Sequence, residues 1–296
     1  MPEVNHVIRD VQNRLTQAGI ESPHAEATLI VAHILEVERG RLGVMQALGE
    51  SIDENTVAKI DQLVAARVTR VPLQHLTGEA GFYGLELKVE PGVFIPRVET
   101  EILVETTLEH FSGAAGPLKI LDLCTGTGAI AAALSHRLGK QHVETMLWAV
   151  ELEPQAVQLA QHNTADYKVT VLCADATDAD EMVAADPDLA ELIGTFDAVV
   201  SNPPYIPTHT RVSQREADQD PALALYGGSA DGTYIPRLIT EQALKWLAPG
   251  GFFMMEHDHT HAESIADTLR QNPGWKHVAT VQDLTTTDRF VSAIRA

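Results

Sequence analysis

Cationic side chains are scarce. The 296-residue chain carries 21 Lys plus Arg against 41 Asp plus Glu, a formal net charge of −20, and no run of Lys or Arg occurs anywhere in it. A protein whose affinity rests on nucleic-acid phosphate shows the opposite balance. The deficit therefore reads as an acidic, solubilising surface. Cysteine is equally sparse. Cys124 and Cys173 are the only two and form no C-x-x-C pair, which argues against a zinc ribbon or a disulfide framework and fits a reducing cytoplasm. Long apolar runs are missing too: none approaches the ~18 residues that span a bilayer. The opening MPEVNHVIRD lacks the apolar core of a secretory signal. What is present is ordinary for a folded protein. Apolar residues make up 45% of the chain, enough for one large domain or two smaller ones.

The first part of the chain reads as helices. Val4, Val7, Ile8, Val11 and Leu15 recur at helical spacing, and Gly19 stops that helix. Ser22-Pro23 reads as an N-cap with proline in the first turn. AEATLIVAHILE and DENTVAKIDQLVAARVTR supply two further helices, the second ending before Pro72. The expectation is a small helical bundle over residues 1–77. Residues 78–101 change character: Leu85, Leu87 and Val89 alternate with charged residues, Pro91-Gly92 forms a turn, and Val93 to Ile95 follows. This predicts a β-hairpin linker. Over residues 102–296, the strand-like segments KILDLC, TMLWAVE, VTVLCAD, FDAVVSN and GFFMMEH alternate with helices over 129–138, 154–166 and 237–247, and two more strands close the chain. Such alternation predicts an α/β fold with a mostly parallel sheet covered on both faces and a terminal hairpin. The acidic stretch 177–195 is expected to be a mobile insertion with a short helix.

Two places carry chemistry. ILDLCTGTGAIA runs strand, turn, helix, with Gly126 and Gly128 at the turn. Glycine there admits a ligand close to the backbone, and the following helix N-terminus favours a negative group. The spacing also satisfies the dinucleotide pattern G-x-G-x-x-A, so a NAD enzyme remains an alternative, as does a tight turn without a ligand. Asp122 precedes the loop and can meet an ammonium group, which S-adenosylmethionine (AdoMet) has and a dinucleotide lacks. Glu151, at the end of the second strand, can accept ribose hydroxyls from either cofactor or simply be a solvated strand end. Asp175 ends the third strand, where it can accept from an adenine amino group or cap the next helix.

The second place is VVSNPPYIP. Asn202 ends the fourth strand and should face the same crevice as the glycine loop. Pro203 and Pro204 fix φ and donate nothing. The Asn202 side-chain oxygen and the Pro203 carbonyl can accept both hydrogens of a planar –NH2 group, against which Tyr205 can pack. Two fixed acceptors favour a pyramidal nitrogen and stabilise the positive charge that grows on it during attack, with no dedicated base. The bland reading is a proline-rich turn after a buried strand.

DLCTGTGAIA together with SNPPYI resembles the class I AdoMet-dependent methyltransferases of planar amino groups. Gln74–Glu101, Pro221–Ile239 and Leu247–His257 are similar to the PrmC/HemK family, the protein-(glutamine-N5) methyltransferases of class I peptide chain release factors. The resemblance implies a Rossmann-like, seven-stranded catalytic domain with AdoMet as methyl donor, and an N-terminal helical domain that docks the release factor. It implies that Phe94, Asp122, Cys124, Thr125, Gly126, Thr127, Gly128, Glu151, Asp175, Ala176 and Asn202 surround the cofactor. Asn202, Pro203, Pro204 and Tyr205 would hold the glutamine of a Gly-Gly-Gln loop, with Asn202, Pro203 and Tyr205 the catalytic set. Arg97 and Glu99, beside Pro96, would line the substrate side. Departures from the family's pattern are Val98 in place of proline, Cys124 where glycine is commoner, and Ala176 where an aromatic can stand. The expected setting is cytoplasmic, with a monomer as default, no direct nucleic acid and no membrane.

Rival readings are a methyltransferase of exocyclic amino groups in DNA or rRNA, which the charge opposes, and a non-catalytic AdoMet-binding module, which the Asn202–Tyr205 corner opposes. Glu256, His257, His259 and His261 invite a metal, but no cysteine joins them and the reading is a solvated loop with no metal. Asp288-Arg289 reads as a terminal-hairpin turn.

Overall fold

The computed structural model describes residues 1–210 and 219–296. These fall into two compact units, one containing Met1–Glu79 and the other containing residues 80–210 and 220–296.

The first unit is helical: α1 (Val4–Gln17), α2 (Pro23–Ile34), α3 (Arg39–Leu48), α4 (Glu54–Val68) and α5 (Leu73–Thr77). Val4, Val7, Ile8, Val11 and Leu15 all point into its core. Gly19 takes φ +70 just beyond α1. Ser22 occupies the N-cap position of α2, but its side chain makes no capping bond; proline at the first turn already removes one donor. Asp53 does cap α4, accepting from the Thr56 amide at 3.0 Å. Arg67 clamps α4 to α2 through two bonds to Glu26, at 2.6 and 3.1 Å.

The second unit opens with a hairpin, β1 (Glu79–Phe82) and β2 (Leu85–Lys88). Its turn is Tyr83-Gly84, where both residues have positive φ (49 and 77), as a two-residue type I′ turn requires. The expected turn at Pro91-Gly92 is therefore not the hairpin turn. Residues 89–97 form no strand; Val89 and Ile95 are buried with Ala80, and Val93 packs against Ala156 and Leu159. A 3₁₀ turn (Val98–Thr100) leads into α6 (Glu101–His110).

The rest is β3 (Leu118–Leu123), α7 (Ala129–Lys140), β4 (Thr145–Glu151), α8 (Pro154–Asn163), β5 (Val169–Cys173), α9 (Ala179–Ala185), β6 (Phe196–Ser201), α10 (Ala222–Leu225), α11 (Tyr234–Trp246), β7 (Leu247–Glu256), α12 (Ala262–Gln271), β8 (Trp275–Gln282) and β9 (Asp288–Arg295). The seven strands order as β5-β4-β3-β6-β7-β9-β8. β3 to β7 pair in parallel, and β9 is antiparallel to both β7 and β8. This is the expected α/β architecture with its terminal hairpin. Alternate residues of β3 enter two separate cores. Leu121 and Leu123 share one core with residues of α9, α11 and α12, while Leu118 and Ile120 share the other with residues of α6 and α7. The period-2 alternation of strand side chains is what divides them.

The stretch 177–195 is not the mobile insertion expected from its acidity. It forms α9 and a 3₁₀ turn (Pro187–Leu192). Met182 and Leu189 are fully buried in one of the two cores, and the Trp148 indole donates to Asp186 at 3.1 Å. The charged residues are the outer face of an anchored segment.

Candidate active site

From β3 the chain moves outward to β4 and β5, then crosses back to place β6 on the other side of β3. The carboxyl ends of β3 and β6 thus flank a topological switch point, where open α/β sheets bind ligands. The pairing register says what meets there. Leu123 is opposite Ser201, and Ser201 is opposite Met255. One residue further along, Cys124 and Glu256 flank Asn202.

The glycine loop is tied into this edge. The Gly126 amide donates to Glu151 Oε2 at 2.9 Å, and the Leu152 and Glu153 amides donate to Glu151 Oε1 at 2.9 and 3.0 Å. Glu151 is thus a fixed carboxylate at the strand end, with a lone pair left on Oε2. The two glycines do different work. A Cβ on Gly126 would meet nothing within 4 Å, so its face is open. A Cβ on Gly128 would lie 3.0 Å from Thr164 Cγ2 and 3.2 Å from Ala160 Cα. Gly128 is therefore required by close packing of α7 on α8, and only Gly126 borders free space. Thr125 and Thr127 are buried.

Asp122 is fully buried. Its Oδ2 accepts from Thr125 Oγ1 at 2.5 Å, while Oδ1 has no hydrogen-bond partner. Burial pushes its carboxyl up to about 7, although the Thr125 hydroxyl and the Ala131 backbone amide act to lower it. A half-satisfied buried carboxyl is costly unless a further donor reaches it. Cys124 has φ +61, which explains why glycine suits this position: the backbone is left-handed there. Burial also pushes its thiol up. Asp175 Oδ1 is engaged by the Thr177 amide and hydroxyl at 2.8 and 2.7 Å, so it stabilises a turn, while Asp178 caps α9. Ala176 is buried in the core.

Around Asn202 the structure assembles a hydrogen-bonded chain. Asn202 Nδ2 donates to Thr100 Oγ1 at 3.1 Å, and Thr100 Oγ1 donates to Glu256 Oε2 at 2.6 Å. Tyr205 Oη donates to Glu256 Oε1 at 2.9 Å. The polarity follows from the carboxylate. A Thr hydroxyl has a single proton, and giving it to Glu256 leaves only lone pairs for Asn202. Turning the Asn202 amide over would set two acceptors face to face, at a cost of about 1–3 kcal/mol. Oδ1 of Asn202 therefore points away from Thr100. Pro203 is buried and Pro204 half-buried. The corner is anchored behind by Ile206, whose amide donates to Leu225 O at 2.8 Å while its carbonyl accepts from the Gly227 amide at 3.0 Å.

Arg97 forms an ion pair with Asp220 and lies over the Phe94 ring, 4.8 Å from its centroid. Val98, the departure from proline, opens the 3₁₀ turn and is exposed; Glu99 is half-buried within it. The stretch around Glu256 is not a solvated loop: Glu256, His257 and His261 are buried. His257 Nδ1 lies 2.9 Å from the Asp258 carbonyl. Among the described residues, no three His, Cys, Asp or Glu side chains converge to hold a metal. Arg289 belongs to β9 rather than a turn, and its Nε donates to Asp283 at 2.8 Å. The sequence reading missed Thr100 and missed what Glu256 does. Its available signal was a carboxylate ending an apolar strand directly beside the one that ends in Asn202.

The residues present suit AdoMet: an unsatisfied buried carboxyl at Asp122, an open glycine face at Gly126 and a fixed carboxylate at Glu151. Residues 6–78 match the PrmC N-terminal domain, and residues 84–217 match the methyltransferase small domain. Among solved structures, the hMettl16 catalytic domain is similar, with a TM-score of 0.53 at 13% identity over 79% of this chain and 81% of that one. That likeness concerns the fold alone. Among curated proteins, the release factor glutamine methyltransferase of Mycolicibacterium smegmatis is 40% identical over 100% of this chain and 99% of its own length. The protein of the same name from Bifidobacterium longum is 37% identical over 98% of this chain and 99% of its own. End-to-end similarity at this level, across both units, means that the chain belongs to the release factor glutamine methyltransferase family.

Proposed function

We propose that the chain transfers a methyl group from AdoMet to the side-chain amide nitrogen (N5) of the glutamine in the Gly-Gly-Gln motif of class I peptide chain release factors. The observation that carries this reading is the Asn202 amide, held through its nitrogen so that Oδ1 is left as an acceptor beside the glycine loop. When bound, AdoMet supplies an electrophilic methyl on a sulfonium. Asp122 Oδ1 would receive its ammonium, the open face of Gly126 would admit its chain, and Glu151 Oε2 would accept from its ribose. Phe94 and Ala176 would lie along its apolar surface, and Asp175 would serve the adenine side through Oδ2.

The substrate carboxamide would give one N–H to Asn202 Oδ1 and the other to the Pro203 carbonyl, with the Tyr205 ring against its flat face. An amide nitrogen is a poor nucleophile because its lone pair is delocalised. Two fixed acceptors favour the pyramidal form and stabilise the positive charge that develops on nitrogen. Holding the nitrogen in line with the methyl supplies the rest. The methylated, cationic amide is acidic enough to lose its proton without a dedicated base. Pro204 stiffens the corner. Arg97, braced by Asp220 and Phe94, and Glu99 would border the entry of the substrate loop.

The helical unit would dock the factor. The same reading puts the protein in the reducing cytoplasm as a monomer without direct nucleic-acid contact. Among the described residues no helix is long and apolar enough to cross a membrane.

The test uses labelled AdoMet with, in parallel, a release factor, its Gln→Ala variant, and DNA or ribosomal RNA. The proposal expects label on the wild-type factor alone. Label on nucleic acid would transfer the activity to base amino groups, and no label at all would leave a binding module.

A further inference from the structure

We propose that Thr100 and Glu256 are positioning residues for the reaction: the Glu256 carboxylate orders the Thr100 hydroxyl, and that hydroxyl orders the Asn202 amide so that only Oδ1 is offered to the substrate. The inference rests on the methyl-transfer reading above and adds two residues to it.

Three elements meet to make the relay. Thr100 ends the 3₁₀ turn before α6, Glu256 ends β7 and Asn202 follows β6. Thr100 and Glu256 are 4% and 1% exposed, so water does not compete for either contact. An Asn side chain by itself has no preference between its two faces. A corner that must accept an N–H works with one of them and repels the substrate with the other. Burial pushes the Glu256 carboxyl up, while the Thr100 and Tyr205 hydroxyls and Arg289 favour its ionised form; the ionised carboxylate removes the ambiguity because it only accepts. It takes the Thr100 proton, and the Thr100 oxygen can then only accept from Asn202 Nδ2.

The same chain does electrostatic work. Successive hydrogen bonds that end on a charge polarise one another. Electron density withdrawn from the N–H end of the Asn202 amide toward the carbonyl end strengthens Oδ1 as an acceptor, where positive charge grows on the substrate nitrogen. The second oxygen of Glu256 accepts from Tyr205 Oη, so one carboxylate fixes the orientation of both the acceptor and the flat wall. A purely structural carboxylate would require neither the fixed sense of the Thr100 hydroxyl nor its placement on the residue that grips the substrate.

The experiment compares Thr100→Val, Thr100→Ser, Glu256→Gln and the Thr100→Val/Glu256→Gln double variant with the wild-type full chain on a release factor. It measures kcat, KM for the factor, AdoMet affinity by calorimetry and thermal melting. Thr100→Val keeps the shape and removes the hydroxyl. Its kcat should fall roughly 10- to 100-fold, the effect expected for losing a charge-assisted hydrogen bond that orders a reactive group. AdoMet affinity should stay near wild type, while melting should fall modestly because Glu256 Oε2 loses its buried partner. Thr100→Ser restores the hydroxyl and should recover kcat to within about threefold of wild type, by the same reasoning that the hydrogen bond and not the methyl acts. Glu256→Gln should also lower kcat, and the double variant should be little slower than the slower single, because both act through Asn202.

An NMR arm reads the orientation without turnover. The Asn202 side-chain amide resonances, assigned by their loss in Asn202→Ala, should shift in Thr100→Val and stay in Thr100→Ser. Wild-type kcat in Thr100→Val or in Glu256→Gln, a serine variant as slow as the valine one, fully multiplicative losses, or unmoved resonances in Thr100→Val would overturn the relay. Labelling of the factor by the wild-type chain tests the function itself. The ratios between variants and the resonance shifts test the relay, so the two can fail separately.

Discussion

In the proposed reaction, Asn202 is the residue on which the chemistry turns. Replacing it by alanine removes one of the two proposed acceptors for the substrate amide, and the only side-chain hydrogen bond it gives up among the described residues is the one to Thr100. Turnover on the release factor is expected to fall by roughly 100-fold or more, as when one preorganised partner of a transition state is deleted. AdoMet affinity, read by calorimetry, should be nearly unchanged. A loss confined to cofactor binding would contradict its role.

Asp122 offers a titration. Burial holds its carboxyl at about 7, above the ordinary value of 3.8. Between those values the folded chain keeps a proton that the unfolded chain has lost. The stability from this group is complete below the lower value and is lost as pH rises through the higher one. A bound ammonium acts in the opposite sense, favouring the charged carboxylate. AdoMet binding at about pH 6 should therefore release close to one proton, read by calorimetry in buffers of different ionisation enthalpy. Asp122→Asn should abolish the release.

Cys124 carries a side chain on a left-handed backbone (φ +61). Alanine there keeps the Cβ and its strain, whereas glycine removes both. Cys124→Gly should be more stable than Cys124→Ala by about 1 kcal/mol in denaturant unfolding. Equal stabilities would show that the strain is negligible.

The element that links sequence to site most directly is the turn from β3 into α7. Its two glycines look alike in the sequence, yet the structure separates them. Gly128→Ala would press a Cβ onto α8, 3.2 Å from the Ala160 backbone. It should cost about 2–3 kcal/mol, from left-handed strain and overpacking together. Gly126→Ala meets no protein atom within 4 Å, so its structural cost should be only the strain, about 1–2 kcal/mol. Its larger effect should be weaker AdoMet binding, because the added methyl enters the open face. Melting and ligand titration of the two variants distinguish these outcomes. A Gly126→Ala variant with full AdoMet affinity would move the cofactor away from this loop.

The other elements show where local reading succeeds. α1 was legible because five apolar residues fall on one helical face. α3 was not: its sequence RGRLGVMQAL holds two glycines and buries only Leu42 and Met45. The hairpin turn was misplaced because Pro-Gly is a stronger turn signal than Tyr-Gly, yet the strands pair around Tyr83-Gly84, where both residues adopt the left-handed backbone. The stretch 177–195 read as mobile because its charges dominate its composition. Met182 and Leu189, its two anchors, are too few to make a pattern.

At the scale of the molecule, the charge of −20 sets up self-repulsion that favours expansion. Among the described residues, several ion pairs lie between exposed partners, and such pairs contribute little. Screening should therefore relieve more repulsion than attraction. The melting temperature is expected to rise as monovalent salt goes from ~10 mM to ~0.5 M, over which the Debye length shrinks from tens of ångströms to a few. A falling melting temperature would mean that attractive pairs dominate.

The sequence by itself determined most element types, the alternating α/β architecture, the glycine loop and the Asn-Pro-Pro-Tyr corner. Each of these is written in contiguous residues, where backbone preference and periodicity act locally. Only the tertiary structure decided that Thr100 and Glu256, 156 positions apart, join Asn202 in one hydrogen-bonded chain. It also decided that Gly128 is held by a helix while Gly126 is left open. Those outcomes depend on strand register and on which buried groups find partners. Such pairings are settled by packing the whole sheet and are encoded in no single segment.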